Sequence, residues 1–195
     1  MAEDLADLLY GPVLADRACG ECTVCCTPLI DTPELKKAEG ERCPNCTRAG
    51  CGVYETRPGI CRTYNCGWKR IASMPPETRP DRLGVMFSLE RVAAPRNVFE
   101  HLFYVAVAVD DPRALEKPLV RDALAMLAEG LLPVWGVWRG TKTLVHPHPD
   151  FAEAIMNPAP HPDRALVKKG RDWLERYAPF IRLGGGDPTK LTYGP

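Results

Sequence analysis

Four cysteines stand within eight positions in CGECTVCC, residues 19–26, and five more follow at Cys43, Cys46, Cys51, Cys61 and Cys66. Thiols crowded this way can hold a metal, carry out redox chemistry or pair as disulfides. Two residues between thiols let a tight turn aim both sulfurs at one ion, and Gly20 and Pro44 suit such turns. Residues 19–25 read CxxCxxC, which with a remote fourth cysteine is one way to ligate an iron–sulfur cluster. The CxxC at Cys19 and Cys22 lies twenty residues before the CxxC at Cys43 and Cys46, a spacing similar to that of zinc ribbons. Spacing therefore supports a bound metal and leaves zinc and iron both open.

Charge around the thiols bears on the same point. Ligating thiols must lose their protons, and neighbouring thiolates repel one another. Between residues 41 and 70, six basic residues (Arg42, Arg48, Arg57, Arg62, Lys69, Arg70) face two acids, Glu41 and Glu55, on a chain of net charge zero. That local excess would favour thiolates; the other reading is a solvated basic face. Tyr54, Tyr64 and Trp68 could screen a site from water, or serve as packing in a segment poor in apolar residues.

The order of these residues resembles the YkgJ-type cysteine-cluster family, whose members are described as zinc- or iron-chelating. The text that carries the resemblance is CGECTVCC (19–26), Cys43-Pro44 and CGVYETRPGICRTYNC (51–66), about the first third of the chain. Carried over residue by residue, it implies a ligand pool of Cys19, Cys22, Cys25, Cys26, Cys43, Cys51, Cys61 and Cys66. Eight thiols suffice for two four-coordinate sites, or for one iron–sulfur cluster with thiols to spare. Cys46 falls outside that pattern. The resemblance extends to a flagellin lysine N-methylase with a similar cluster, but the present chain has no glycine-rich cofactor loop, so methyl transfer is not carried over. The family description names chelation rather than a reaction.

Other groups offer less. His146 and His148 flank a proline and could share one side of a strand, but no third ligand is marked out to join them, and a turn is the simpler reading. His101 reads as a partly buried strand residue and His161 as loop. No thiol among the nine is singled out as a nucleophile, and no CxxC opens a helix in a βαβ setting as thioredoxin-like chemistry requires. Whether the chain is an enzyme stays open.

The bulk composition narrows the class. A chain of 195 residues can bury a core without disulfide staples, and residues 67–195 contain no cysteine. Zero net charge gives no global basis for nucleic acid as the main partner. The first eighteen residues carry acids where a signal peptide is basic, and no segment approaches eighteen consecutive apolar residues. The expectation is a cytoplasmic protein without a membrane span, in a compartment where thiols stay reduced.

The elements that would position the thiols are expected as follows. A short amphipathic helix covers 2–10 and another covers 32–40, with Thr32 as its cap. Residues 19–70 are otherwise broken by glycine and proline, and 72–82 form a linker or surface loop. Strands follow at 83–92 and 98–109, then a helix over 111–130 that starts after Pro118 or kinks there. A strand at 132–140 pairs with 141–146; helices cover 149–157 and 163–178; a mobile tail begins at Gly184. Trp135 and Trp138 point to opposite faces of their strand, one of them into the core. The whole reads as α+β: an irregular cysteine-rich metal-binding module at 13–70 packed on a small α+β domain at 83–183. Three functions fit: a metal-binding protein holding zinc or an iron–sulfur centre, an iron–sulfur redox enzyme, and a zinc-shaped surface for a protein or nucleic acid.

Overall fold

The computed structural model describes residues 11–27, 34–38, 40–92 and 94–188. The fold is mixed α+β. After a 3-10 turn at Val24–Cys26, strands β1 (Cys46–Thr47) and β2 (Gly50–Cys51) form a minimal hairpin. Two short helices follow, α1 (Gly59–Thr63) and α2 (Gly67–Arg70). Helix α3 (Pro80–Leu83) then leads into a four-stranded sheet of β3 (Val85–Glu90), β4 (Phe103–Ala108), β5 (Val134–Trp138) and β6 (Thr141–His146), in that spatial order. The outer pairs are antiparallel and β4 runs parallel to β5. A parallel pair needs a crossover, supplied by a 3-10 stretch at Pro112–Glu116 and helix α4 (Pro118–Ala128). Helices α5 (Pro149–Met156) and α6 (Arg164–Leu183) complete the chain.

Alternation along the strands makes two cores. Phe103, Val105, Trp135 and Val137 face α5 and α6, against Ile155, Trp173, Tyr177 and Ile181. Val85, Phe87, Ala106 and Val134 face the other way, against Val120, Leu124 and Leu127 of α4 and against Met74 and Leu83. Both faces are covered, so the central strands carry near-continuous apolar runs.

Several expectations change on contact with this architecture. Residues 72–82 lie largely at the surface, but the segment is pinned rather than free: Met74, Thr78 and Pro80 are buried, and Met74 joins the second core. The apolar run at 98–109 begins not as strand but as a 3-10 turn, Val98–Glu100, capped by the Asn97 side chain. Pro118 opens α4, since its missing N–H costs nothing at a helix start. Helix α6 runs past 178 and contains Pro179. Residues 34–36 form a turn and Lys37 a single bridge where a helix was expected, while 32, 33 and 39 lie outside the described residues, as does the helix at 2–10. Gly184 and Gly186 press on His101 so closely that a Cβ at either would sit about 2.2 Å from a His101 atom. That start of the tail is therefore packed, and 189–195 lie outside the described residues. His101 is buried just before β4 rather than within a strand.

The cysteine-bearing segment is tied to the sheet at one seam. Gly67 of α2 lies against Phe87 of β3, where a Cβ would meet Phe87 Cβ at 3.1 Å. Arg17 is buried and its guanidinium donates to four carbonyls, of Trp68, Ile71 (3.1 Å), Ala72 (3.3 Å) and Met74 (2.7 Å). Leu14 N–H donates to Lys69 O. The forked guanidinium explains why an arginine stands here, because one side chain satisfies the carbonyls of an irregular stretch that no ladder could reach.

Candidate metal centre

Each thiol is placed by local backbone logic. The loop 19–26 turns at Gly20, whose φ of 54° suits glycine, and Cys22 N–H donates to Cys19 O. Gly50 (φ 123°) lets the hairpin come close to that loop, since a Cβ there would stand 3.6 Å from Gly20 O. Cys43 N–H donates to Cys26 O at 2.8 Å, and Cys46 pairs with Cys51 across the hairpin. Helix α1 carries Cys61, whose N–H donates to Pro58 O. Arg57 clamps this turn by donating to Tyr54 O (2.9 Å) and Cys61 O (3.3 Å), with its guanidinium 3.8 Å from the Tyr54 ring centre. This is the structural content of the RPxxCR element. Cys66 caps α2.

The thiols converge on two adjoining cavities. The smaller, about 40 Å³, is walled by Cys19, Cys22, Cys25 and Cys66 with Tyr64, Trp68 and Met86. The larger, about 100 Å³, is walled by Cys26, Cys43, Cys51 and Cys61, with Cys19, Cys22 and Cys25 shared. All eight cysteines of the expected pool line one cavity or both; Cys46 lines neither. All nine are free thiols. Among the described residues, no group of three or more His, Cys, Asp or Glu side chains could hold a metal ion as it stands. The sulfurs share walls without closing on a common point. The donor set nevertheless fits a thiophilic metal, because four thiolates make a closed site for zinc or a cluster.

Electrostatics differ from thiol to thiol. Cys25 is pushed far up by the hydrogen bond it shares with Cys26, then by burial. The same bond lowers Cys26 to about 6, against burial and with help from Cys46, Arg42 and Lys37. Burial pushes Cys66 up to about 11 and also raises Cys22 and Cys61. Tyr64 is raised well above the ordinary phenol by burial and then by Cys66. Its hydroxyl reaches Ser88 Oγ at 3.3 Å, which fixes it on the sheet side of both cavities.

The basic residues divide. Arg57 and Lys69 line the larger cavity, Arg42 lies beside Cys46, and Arg70 is buried and donates to Gly11 O. Lys37 also lines the larger cavity, with Nζ 3.0 Å from Ala38 O. It was missed because Lys36-Lys37 reads as the polar side of a surface helix; no local signal marks a buried lysine. Tyr64 and Trp68 wall the smaller cavity, whereas Tyr54 is 46% exposed at the rim of the larger. The histidines stand apart: His148 accepts from Asp150 N–H at the start of α5, His146 is half-buried at the end of β6, and His161 accepts from Asp163 N–H. Trp135 is buried and donates to Phe99 O, while Trp138 is only partly covered and lies under Arg139.

No protein-family model, curated protein or solved structure matches the chain.

Proposed function

We propose that the chain is a metal-binding protein that holds zinc or an iron–sulfur centre through thiolates of Cys19, Cys22, Cys25, Cys26, Cys43, Cys51, Cys61 and Cys66. One observation carries this reading. The eight thiols, from five separate stretches of chain, line two cavities that share walls, while the ninth lines neither. Burial of neutral thiols alone gives no reason for eight of them to meet. Lys37, Arg57 and Lys69 in the wall of the larger cavity offset the charge that deprotonated ligands would carry. Membership of the YkgJ-type family goes with this reading, as does a division into a metal-binding module at 13–70 and an α+β domain at 83–183. So does a cytoplasmic location, where nine free thiols persist. Among the described residues no helix is long and apolar enough to cross a membrane.

A second reading, an iron–sulfur redox enzyme, is favoured by the Tyr64, Trp68 and Met86 wall, because a dry shell tunes a cluster's potential. Elemental analysis with an optical spectrum, on protein purified without oxygen, tests both. Iron with visible thiolate-to-iron absorption supports the cluster; colourless protein with zinc supports the ion. Cys22→Ser and Cys61→Ser should each lower the metal content, and unchanged content in both variants would remove the reading. A zinc-shaped surface for nucleic acid would instead show salt-sensitive binding to a polyanion.

A further inference from the structure

The eight thiols are not spread evenly over the two cavities. Cys66 lines only the smaller. Cys26, Cys43, Cys51 and Cys61 line only the larger. Cys19, Cys22 and Cys25 stand on the shared wall. Backbone bonds follow the same grouping. Cys22 N–H closes a turn on Cys19 O, whereas Cys43 N–H is bonded to Cys26 O. The 3-10 turn at Val24–Cys26 thus places two consecutive cysteines in different groups.

We propose that the eight thiols form two separate four-thiolate metal sites: Cys19, Cys22, Cys25 and Cys66 around the smaller cavity, and Cys26, Cys43, Cys51 and Cys61 around the larger. This rests on the metal-binding reading and decides its stoichiometry. Each set meets the four-ligand requirement of a closed site for a thiophilic cation, and equally that of a cubane cluster. The first set runs from Cys19 to Cys66 and brackets the second in sequence, so both together brace a segment that has little core of its own. Cys46, with its sulfur 3.9 Å from Thr47 O and on neither cavity wall, is a ligand in neither set.

The test is a titration of the metal-free full chain with cobalt(II) in the absence of oxygen, followed by the thiolate-to-cobalt absorption. Saturation at two equivalents per chain is expected, with Cys46→Ser also at two. Saturation at one equivalent overturns the two-site arrangement and leaves metal binding intact. Failure to take up cobalt, zinc or iron at all overturns the metal-binding reading, and the arrangement with it. Cys66→Ser and Cys61→Ser are each expected to saturate at one equivalent and the double variant at none. A folded single variant that still binds two, or that binds none, overturns the assignment. Iron and acid-labile sulfide, counted per chain in the protein as purified, separate a cluster from a single ion at either set.

Discussion

Phe87, Phe99, Phe103 and Tyr177 around the sheet are each 1% exposed or less, whereas the described residues between 11 and 70 bury only Leu35, Cys43 and Trp68 among their hydrophobic side chains. One region is held by apolar area removed from water, which needs no partner outside the chain. The other is held by single hydrogen bonds, two-residue strands and one arginine, and its most numerous inward-facing groups are thiols. A segment with so little to bury gains order from cross-links, and a metal bound by thiolates is the cross-link its chemistry offers. The difference between the two regions is thus a difference in what each loses when a given support is removed.

The largest effect is expected inside the sheet region. Tyr177 stacks on Trp173 with ring centres 4.6 Å apart, and its hydroxyl accepts from Leu102 N–H and donates to Leu102 O. Tyr177→Ala should cost about 3–5 kcal/mol in chemical denaturation, with or without metal present. An equal loss confined to metal-loaded protein would break the contrast between the regions. Arg17→Ala comes next, at about 2–3 kcal/mol, because it removes the guanidinium from the carbonyls of Trp68, Ala72 and Met74 at the seam, while Ile71 O keeps Met74 N–H. Hydrogen exchange should rise first at 67–74.

Chelation should sharpen the comparison: amide protection falls across 19–66 and persists in β3, β4 and β5. Protection lost equally in both regions would show that the sheet depends on the metal as well. Gly67→Ala is smaller, about 1–2 kcal/mol, since Phe87 Cβ and O leave 3.1 and 3.3 Å for the new methyl. The smallest effect concerns Asp81. Burial opposes its ionisation, but Arg79, with two hydrogen bonds of 2.7 Å, outweighs it and holds the carboxyl below its ordinary value. A depressed carboxylate stabilises the fold above its unfolded-state pKa and loses that contribution as pH falls through the folded value. The thermal midpoint of metal-free wild type should therefore exceed that of Asp81→Asn slightly at pH 6, and the gap should close as pH falls through the lowered value of the folded carboxyl.

Strand and helix periods from residue 83 onward were legible because each element has a buried face that repeats at its own spacing. The hairpin of β5 and β6, the two terminal helices and the split between Trp135 and Trp138 follow from that alternation. Where one element changes into another within an apolar run, the pattern is silent. Nothing local tells that Val98–Glu100 coils before β4 begins, or that Met74 is buried in the second core. The eight cavity-lining thiols were legible from spacing and from the family resemblance, and Lys37 was not, since burial of a charge is decided by what surrounds it.

Residue order alone settled that the thiols are local to 19–66, that the rest of the chain makes its own core, and that the two parts differ in kind, because composition and periodicity are properties of neighbours in sequence. Which thiols share a cavity wall, that Cys46 lines neither cavity, and that Arg17 closes the seam were decided only in three dimensions. Cys66 and Cys19 line one cavity across 46 intervening residues. A shared wall at that separation depends on the packing of α2 on β3, not on anything written near either cysteine.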